Sequence, residues 1–195
     1  MDKDTRFILE LLTHDGRNAA TRLGKVLGIS RQAASVRIGK LVTAGLIVST
    51  GNTKARVFHL AELARVSATY PIAGLSEDIV WRELCAPVVA DLPESVRDIW
   101  RYGITEMVNN AIDHSGSPQV SVGMAKTAMH TSAWVSDRGE GIFIKIQHAL
   151  NLYDPREAIL ELAKGKFTTD PANHTGEGIF FSSKMFDAYD IRSGN

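Results

Sequence analysis

The sequence predicts an α+β protein with two domains, and three observations lead to that prediction. The first 60 residues read, in order, as helix, helix, tight turn, helix and strand hairpin. From residue 93 onward, a long amphipathic helix pattern is followed by two strand patterns and further helices. The charge also divides: residues 1–68 carry 11 basic and 5 acidic residues, a net charge of +6, and residues 69–195 carry 11 and 17, a net charge of −6.

The bulk composition is that of a water-soluble globular chain. Its 195 residues are 44% hydrophobic and 23% charged, which is enough apolar material for proper cores. The single cysteine, Cys85, excludes an internal disulfide and fits a reducing compartment. The N-terminus lacks the apolar core of a secretory signal, and no stretch of about 18 apolar residues is present to span a membrane. We therefore expect a cytoplasmic protein with no membrane partner.

The first two helices are predicted from apolar residues at helical spacing. In "DTRFILELLTHDGR" those residues are Phe7, Ile8, Leu11 and Leu12. In "NAATRLGKVLGIS" they are Ala20, Leu23, Val26 and Leu27. Asn18 precedes the second series, and asparagine is a favoured N-cap. "GIS" then predicts a tight turn.

A third helix and a hairpin complete the first domain. "RQAASVRIGKLVTAG" predicts a helix that begins near Ser30 and ends at Gly45, with Ala34, Ile38 and Leu41 facing inward. "LIVST" and "RVFHL" predict two strands around a turn that contains Gly51. Residues 61–92 look helical, with a break near 69–74, where we place the domain boundary. The predicted domains are therefore 1–68 and 75–195.

Residues 5–60 resemble a winged helix-turn-helix, because the "GIS" turn, the helix lengths and the trailing hairpin agree with that motif. In such folds the second helix of the motif enters the major groove of DNA. The basic charge of this half also favours a polyanionic partner. The predicted DNA-binding residues on the recognition helix and the wing are Ser30, Arg31, Gln32, Ser35, Arg37, Lys40, Lys54 and Arg56. The alternative is a winged helix that docks a protein, with its basic residues as a solvated face.

The second half predicts a helix from Pro93 to "SGSP", strands at "QVSVGMAK" and "HTSAWVSD", and helices at "IFIKIQHALNLY" and "DPREAILELAKG". "KFTTDPANHTGEG" predicts a polar loop, "IFFSSKMFD" a short apolar helix, and "AYDIRSGN" the start of a strand. Another strand would be expected after it, so we expect a longer protein of which this chain is a truncated part.

The segment "ITEMVNNAIDHS" carries the most informative pattern of this half. At 100° per residue, Glu106, Asn109, Asn110 and Asp113 fall on one stripe, opposite the apolar residues, with no cation among them. Carboxylate and amide oxygens without a neighbouring cation suit a hard metal such as Mg²⁺, which usually brings phosphates with it.

Two glycine stretches add to this pattern. "VSDRGEGIF" places Asp137, Gly139 and Gly141 after a strand, and "HTGEGIF" places Gly176 and Gly178 ahead of a short helix. Glycine permits close backbone approach to a ligand, and a helix N-terminus binds phosphate.

Together the three segments resemble the Bergerat-type fold of the gyrase, heat-shock chaperone, histidine kinase and mismatch-repair (GHKL) ATPases, an α/β sandwich, over residues 90–192. "EMVNNAIDHS" resembles its N box, and "DRGEG" and "TGEG" its glycine boxes. The resemblance implies that Asn110 ligates Mg²⁺, that Glu106 activates water in hydrolysing members, and that Asp137 accepts a hydrogen bond from the adenine amino group. The full set of predicted ATP-binding residues, which adds polar neighbours on the stripe and in the loop, is Asn109, Asn110, Asp113, His114, Asp137, Gly139, Gly141, Lys166, Thr175, Gly176, Glu177 and Gly178.

The sequence departs from several branches of that family. Residues 61–92 contain no histidine, so ordinary histidine autokinase activity is not expected. The domain that supplies a lysine to the γ-phosphate in gyrase-type enzymes is absent from this sequence. Anti-sigma-factor serine kinases share a similar N box, so transfer of phosphate to a partner protein stays open.

The sequence thus predicts an ATP-binding transcription regulator that takes ATP or ADP with Mg²⁺, binds DNA and forms a homodimer. In this hypothesis ATP orders the lid at about residues 142–175 and so changes the spacing of two recognition helices. The alternative is a protein serine/threonine kinase or switch ATPase of the anti-sigma-factor type, whose winged helix docks a protein.

Overall fold

The computed structural model describes residues 1–154, 156–164 and 178–193 as a mixture of helices and sheets. The chain divides into two compact units, each with its own contacts. The first unit comprises Met1–Arg65 and Met124–Ser132. The second comprises Val66–Gly123 and Ala133–Asn195.

Three helices open the first unit, as the apolar periodicity predicts. They are α1 (Lys3–His14), α2 (Ala19–Leu27) and α3 (Arg31–Thr43). The Ser30 side chain caps α3 by accepting a hydrogen bond from the Ala33 amide at 3.1 Å. Asn18 is the N-cap residue of α2, as predicted, but it has a left-handed conformation and its side chain makes no cap hydrogen bond. Val26, one of the apolar residues at helical spacing in α2, is exposed.

The predicted hairpin is confirmed. Strands β1 (Ile47–Thr50) and β2 (Val57–Leu60) pair antiparallel, with Ile47 opposite Leu60. The core beneath them comes mainly from the inward faces of the three helices and is formed by Ile8, Leu9, Leu12, Ala19, Leu23, Ala34, Ile38, Leu41 and Ile47. Ala128 and Met129, from the segment Met124–Ser132, pack against the same core.

The residues after the hairpin form a strand where the sequence predicts a helix. Strand β3 (Ala64–Pro71) alternates between half-buried and exposed residues along its whole length. This period of two is that of a strand with one covered face, and pairing with a neighbouring strand decides against the helix. The strands β4 (Gln119–Lys126) and β5 (Thr131–Asp137) lie where they are predicted, and the sheet order is β3-β4-β5.

A helical stretch with irregular geometry follows β3. It consists of α4 (Glu77–Val80), a π-helical turn at Trp81–Cys85 and a 3₁₀ turn at Ala86–Val89. Cys85 is fully buried, and burial raises the pKa of its thiol to about 11. The thiol is therefore neutral at ordinary pH and acts as a small apolar core group.

The long helix α5 (Glu94–His114) begins after Pro93, as predicted, and is the scaffold of the second unit. It buries Ile104, Val108 and Ala111. On its flank, the Tyr189 hydroxyl donates to the Met107 sulfur. Burial raises the pKa of Tyr189 to about 12, which keeps the phenol neutral as a donor.

Three shorter helices complete the described part of the second unit. These are α6 (Ile142–Leu150), α7 (Glu157–Ala163) and α8 (Gly178–Met185), all in predicted positions. Residues 188–193 form no strand, so the strand predicted at "AYDIRSGN" is wrong within the part of it that the structure describes. Among the described helices, none is long and apolar enough to cross a bilayer.

Candidate functional site

The first candidate site is the outward face of α3. The three buried residues of this helix, Ala34, Ile38 and Leu41, leave the opposite side to solvent. Four of the residues predicted to bind DNA are exposed on α3: Arg31, Gln32, Ser35 and Lys40. Of these four, Gln32 and Lys40 lie on the side of the helix away from the core, whereas Arg31 and Ser35 are exposed at its flank.

Two other predicted DNA contacts have structural partners. The Ser30 oxygen caps α3, as described above, so its first role is to start the helix. The Arg37 guanidinium is half-buried and forms an ion pair with Asp4 at 3.2 Å. Arg56 is exposed just before β2, in the wing. The side chain of Lys54 lies outside the described part of the structure.

The second candidate site is built on the last three turns of α5. Glu106, Asn109 and Asn110 are half-buried, whereas Asp113 is exposed near the end of the helix. His114 is the last residue of α5 and is half-buried. The oxygen-bearing stripe thus lies beside, and not within, the apolar face formed by Ile104, Val108 and Ala111.

Asn110 has an unusual environment in this stripe. Its Nδ2 atom is buried, yet it has no hydrogen-bond partner among the described residues. A buried donor without a partner costs about 1–3 kcal/mol, so such a group in a folded protein points to a ligand, an ion or a water. The predicted magnesium ligand therefore has a buried amide N–H left to donate to an acceptor, such as a ligand oxygen or a water.

The turn after β5 is packed against the end of α5. The Asp137 carboxylate accepts a hydrogen bond from the Gly139 amide at 2.8 Å, which fixes one of its oxygens. A side chain on Gly139 would overlap the carbonyl oxygen of Ser115 and lie 2.7 Å from the carbonyl carbon. Only glycine fits here, because the contact is with backbone that follows α5 directly.

Ser117 joins these two segments and is a residue that the sequence pattern does not predict. Its hydroxyl donates to the Gln119 carbonyl at 2.7 Å and accepts from the Arg138 amide at 3.3 Å. It is 7% exposed, which is unusual for a serine in a loop. Small polar residues after a helix are common, so no sequence signal separates Ser117 from an ordinary turn serine.

The second glycine box also reaches α5. Gly178 is the first residue of α8, and a side chain placed on it would overlap Glu106 Oε2 and lie 3.1 Å from Glu106 Cδ. Gly141, in a left-handed conformation with φ of 92°, precedes α6. The three segments of the sequence pattern thus meet at two close contacts. The backbone of Ser115 lies against Gly139, and the side chain of Glu106 lies against Gly178.

Some predicted residues are not described. Lys166, Thr175, Gly176 and Glu177 lie outside the described residues. Within the described part of the chain, no three His, Cys, Asp or Glu side chains are close enough to hold a metal together. A described cavity of about 310 Å³ in the second unit has no predicted site residue in its lining, which consists of Trp81, Ala86, Ala90, Arg97, Asp98 and Arg101.

Comparison with known proteins supports the first site. Residues 2–48 match the family model described as winged helix-turn-helix DNA-binding. No curated protein and no solved structure matches the chain. The matched region covers α1, α2, α3 and the start of β1, so these residues form a winged helix-turn-helix DNA-binding domain.

Proposed function

We propose that this protein is a transcription regulator that binds DNA through α3 and binds Mg-ATP in a Bergerat-type domain built on α5. The first part of the proposal is supported by the winged helix-turn-helix match over residues 2–48. The exposed cations and amide of α3 supply the chemistry. Arginine and glutamine make paired hydrogen bonds to guanine and adenine edges in the major groove.

A single observation carries the second part: the convergence of three distant segments on α5. Glu106 contacts Gly178, and Ser115 contacts Gly139, over sequence separations of tens of residues. In this arrangement Asp137 accepts the adenine amino group, because an ionised carboxylate is only an acceptor and so distinguishes adenine from guanine. The glycines let backbone approach the nucleotide closely.

The residues present fit Mg²⁺ bound together with phosphates. Magnesium is usually held by one or two protein oxygens plus substrate phosphates, so a cluster of three acidic ligands is not required. Asn110 would hold the ion through its side-chain oxygen, and its buried Nδ2, which has no partner among the described residues, would donate to a phosphate oxygen. When bound, the ion supplies charge neutralisation for the phosphates. Asn109 and Asp113 share the stripe as supporting polar groups.

The DNA-binding part is tested with Arg31→Ala. Duplexes selected from a random library by the wild type are titrated by fluorescence anisotropy at two salt concentrations. Because Arg31 is exposed at the start of α3, its loss should weaken binding about tenfold. A loss of that size lies within the range of about 1–3 kcal/mol for a paired base contact.

The matched control is Arg6→Ala, an exposed arginine on α1 that pairs with Glu10 at 2.9 Å. It should change affinity less than twofold. Equal losses in both variants would show only a general charge effect. Failure to select any duplex at low salt would remove DNA from the proposal.

Repeating the DNA titration with ATP and with ADP tests regulation. Identical DNA affinities without nucleotide, with ATP and with ADP would contradict a nucleotide-responsive regulator.

The nucleotide part is tested by calorimetric titration of Mg-ATP into the wild type and Asp137→Asn. The substitution keeps the size of the side chain but replaces an acceptor with an amide that also donates. We expect micromolar-range binding by the wild type and at least a tenfold loss in the variant. Asp187→Asn, an exposed aspartate in the same unit, should bind like the wild type. A wild type that takes up no ATP would remove the nucleotide from the proposal.

A further inference from the structure

The outward face of α3 carries an apolar residue at its centre. Val36 is 61% exposed, although it lies in the middle of a helix that buries three other residues. At 100° per residue, Val36 points about 170° away from the mean direction of Ala34, Ile38 and Leu41. It therefore occupies the part of the helix that would enter deepest into a groove.

Stability of the unit does not account for a valine at this position. A side chain that is 61% exposed removes little apolar area from water, and a β-branched residue is a weaker helix former than alanine or lysine. Single exposed apolar residues are common on proteins, so exposure alone assigns no role. The role of Val36 is inferred from the residues beside it on the same face of the helix.

Those neighbours form a surface with a specific chemistry. Gln32 is exposed one turn before Val36, and Lys40 is exposed one turn after it. Gly39 lies beside them, and apart from its own helix no atom of the described residues comes within 4 Å of the position that a side chain there would fill. The bare backbone at Gly39 lets this face approach a flat edge closely, with an amide on one side of the valine and a cation on the other.

The major groove offers one apolar group, the C5-methyl of thymine, and apolar side chains contact it. Adenine offers an acceptor and a donor that match the amide of glutamine. We infer that Val36 contacts a thymine methyl and that, with Gln32 reading an adenine one helical turn away, α3 selects A·T pairs at the centre of its site. This inference rests on the proposed DNA binding and adds the base type that is read.

The test removes single methyl groups from the DNA. In the selected duplex, each thymine is replaced in turn by deoxyuracil, which lacks only the C5-methyl, and the affinity of the wild type and of Val36→Ala is measured. Loss of one buried methyl should weaken wild-type binding about fourfold at one or two positions. In Val36→Ala the same replacements should change affinity less than twofold.

Val42→Ala is the matched control, because Val42 is another exposed valine of α3 but lies on a different side of the helix. It should keep the wild-type response to deoxyuracil. Circular dichroism and thermal melting check that both variants fold, which is expected for exposed positions.

The outcomes separate this inference from the function on which it rests. If the wild type binds a selected sequence but tolerates deoxyuracil at every position, or if Val36→Ala keeps the wild-type sensitivity, the contact to thymine is wrong and DNA binding stands. If the wild type retains no duplex, the DNA-binding function fails and the inference fails with it.

Discussion

Replacing Gly16 by alanine should destabilise the N-terminal unit by about 3 kcal/mol, which is the upper part of the usual range for forcing extra atoms into a packed interior. Gly16 is buried between α1 and α2. An added methyl group would overlap the Phe58 carbonyl oxygen and lie 2.7 Å from its carbonyl carbon and 2.8 Å from its nitrogen. All three atoms are backbone, so no side-chain rotation can relieve the overlap.

The clash would break the link between the helices and the wing. The Phe58 amide donates to the Gly16 carbonyl at 3.1 Å, and Arg17 forms an isolated bridge with Val57. These contacts hold β2 against the turn that precedes α2. A methyl group on Gly16 pushes the strand away, so the loss of packing is accompanied by the loss of these backbone hydrogen bonds.

Gly39→Ala is the matched control for Gly16→Ala. Gly39 lies inside α3, and outside that helix the described part of the chain places no atom within 4 Å of the new methyl group. This change should stabilise the unit by about 0.5–1 kcal/mol, because alanine loses less backbone entropy on folding than glycine. Opposite signs for the same substitution would establish that the packing of Gly16, and not the residue type, sets the effect.

Hydrogen exchange of the amides of α1, α2 and α3 in increasing urea measures both effects within the unit. Tryptophan fluorescence gives an independent reading of the second unit, because all three tryptophans, Trp81, Trp100 and Trp134, lie in it. If the exchange of Gly16→Ala matches that of the wild type, the close contact with Phe58 is wrong.

The contrast between α3 and β3 shows how far the sequence specified the fold. Helix α3 was predictable because Ala34, Ile38 and Leu41 have the helical period and because Ser30 and Gly45 mark its ends. The stretch "ARVSATYP" has a period of two, but alanines at 61, 64 and 68 and nearby charges favour a helix locally. Its strand form depends on pairing in the sheet, which is a long-range contact that local propensity does not encode.

The same limit applies to contacts made at a distance along the chain. Ala128 and Met129 pack against the core of the first unit, although about 70 residues separate them from its hairpin. Their sequence, a short turn between two strands, carries no periodic signal for that packing. The C-terminal stretch "AYDIRSGN" shows the converse case. Its composition favours a strand, but its described residues 188–193 do not pair with any strand.

In the candidate nucleotide site, the pattern singled out segments that lie close together in the structure, but it did not predict the contacts between them. Glycine at 139 was expected to let the backbone approach a ligand closely, whereas the structure gives another steric reason, the backbone of Ser115. Ser117 could not be predicted, because its role depends on the proximity of Arg138 and Gln119. The assignments of Glu106 to water activation and of Asn110 to Mg²⁺ stay predictions.

Replacing Gly139 by alanine should have the largest effect on nucleotide binding. The methyl group would overlap the Ser115 carbonyl oxygen and lie 3.0 Å from Asp137 Oδ1, the atom that now accepts the Gly139 amide. Because the end of α5 is fixed by helix hydrogen bonds, the turn after β5 has to move instead. That movement displaces the Asp137 carboxylate, so we expect at least a tenfold loss of Mg-ATP affinity in calorimetry and a lower thermal midpoint by tryptophan fluorescence.

Arg138→Ala is the control, because it changes a side chain in the same turn without introducing a clash. The Arg138 side chain is exposed, and its amide still donates to Ser117 after the substitution. This variant should keep the wild-type affinity and midpoint. A folded Gly139→Ala protein that binds Mg-ATP like the wild type would place the adenine away from this turn. If the wild type takes up no nucleotide, a lowered midpoint in Gly139→Ala alone still shows that the turn is packed on α5, because that clash is a property of the fold and not of the ligand.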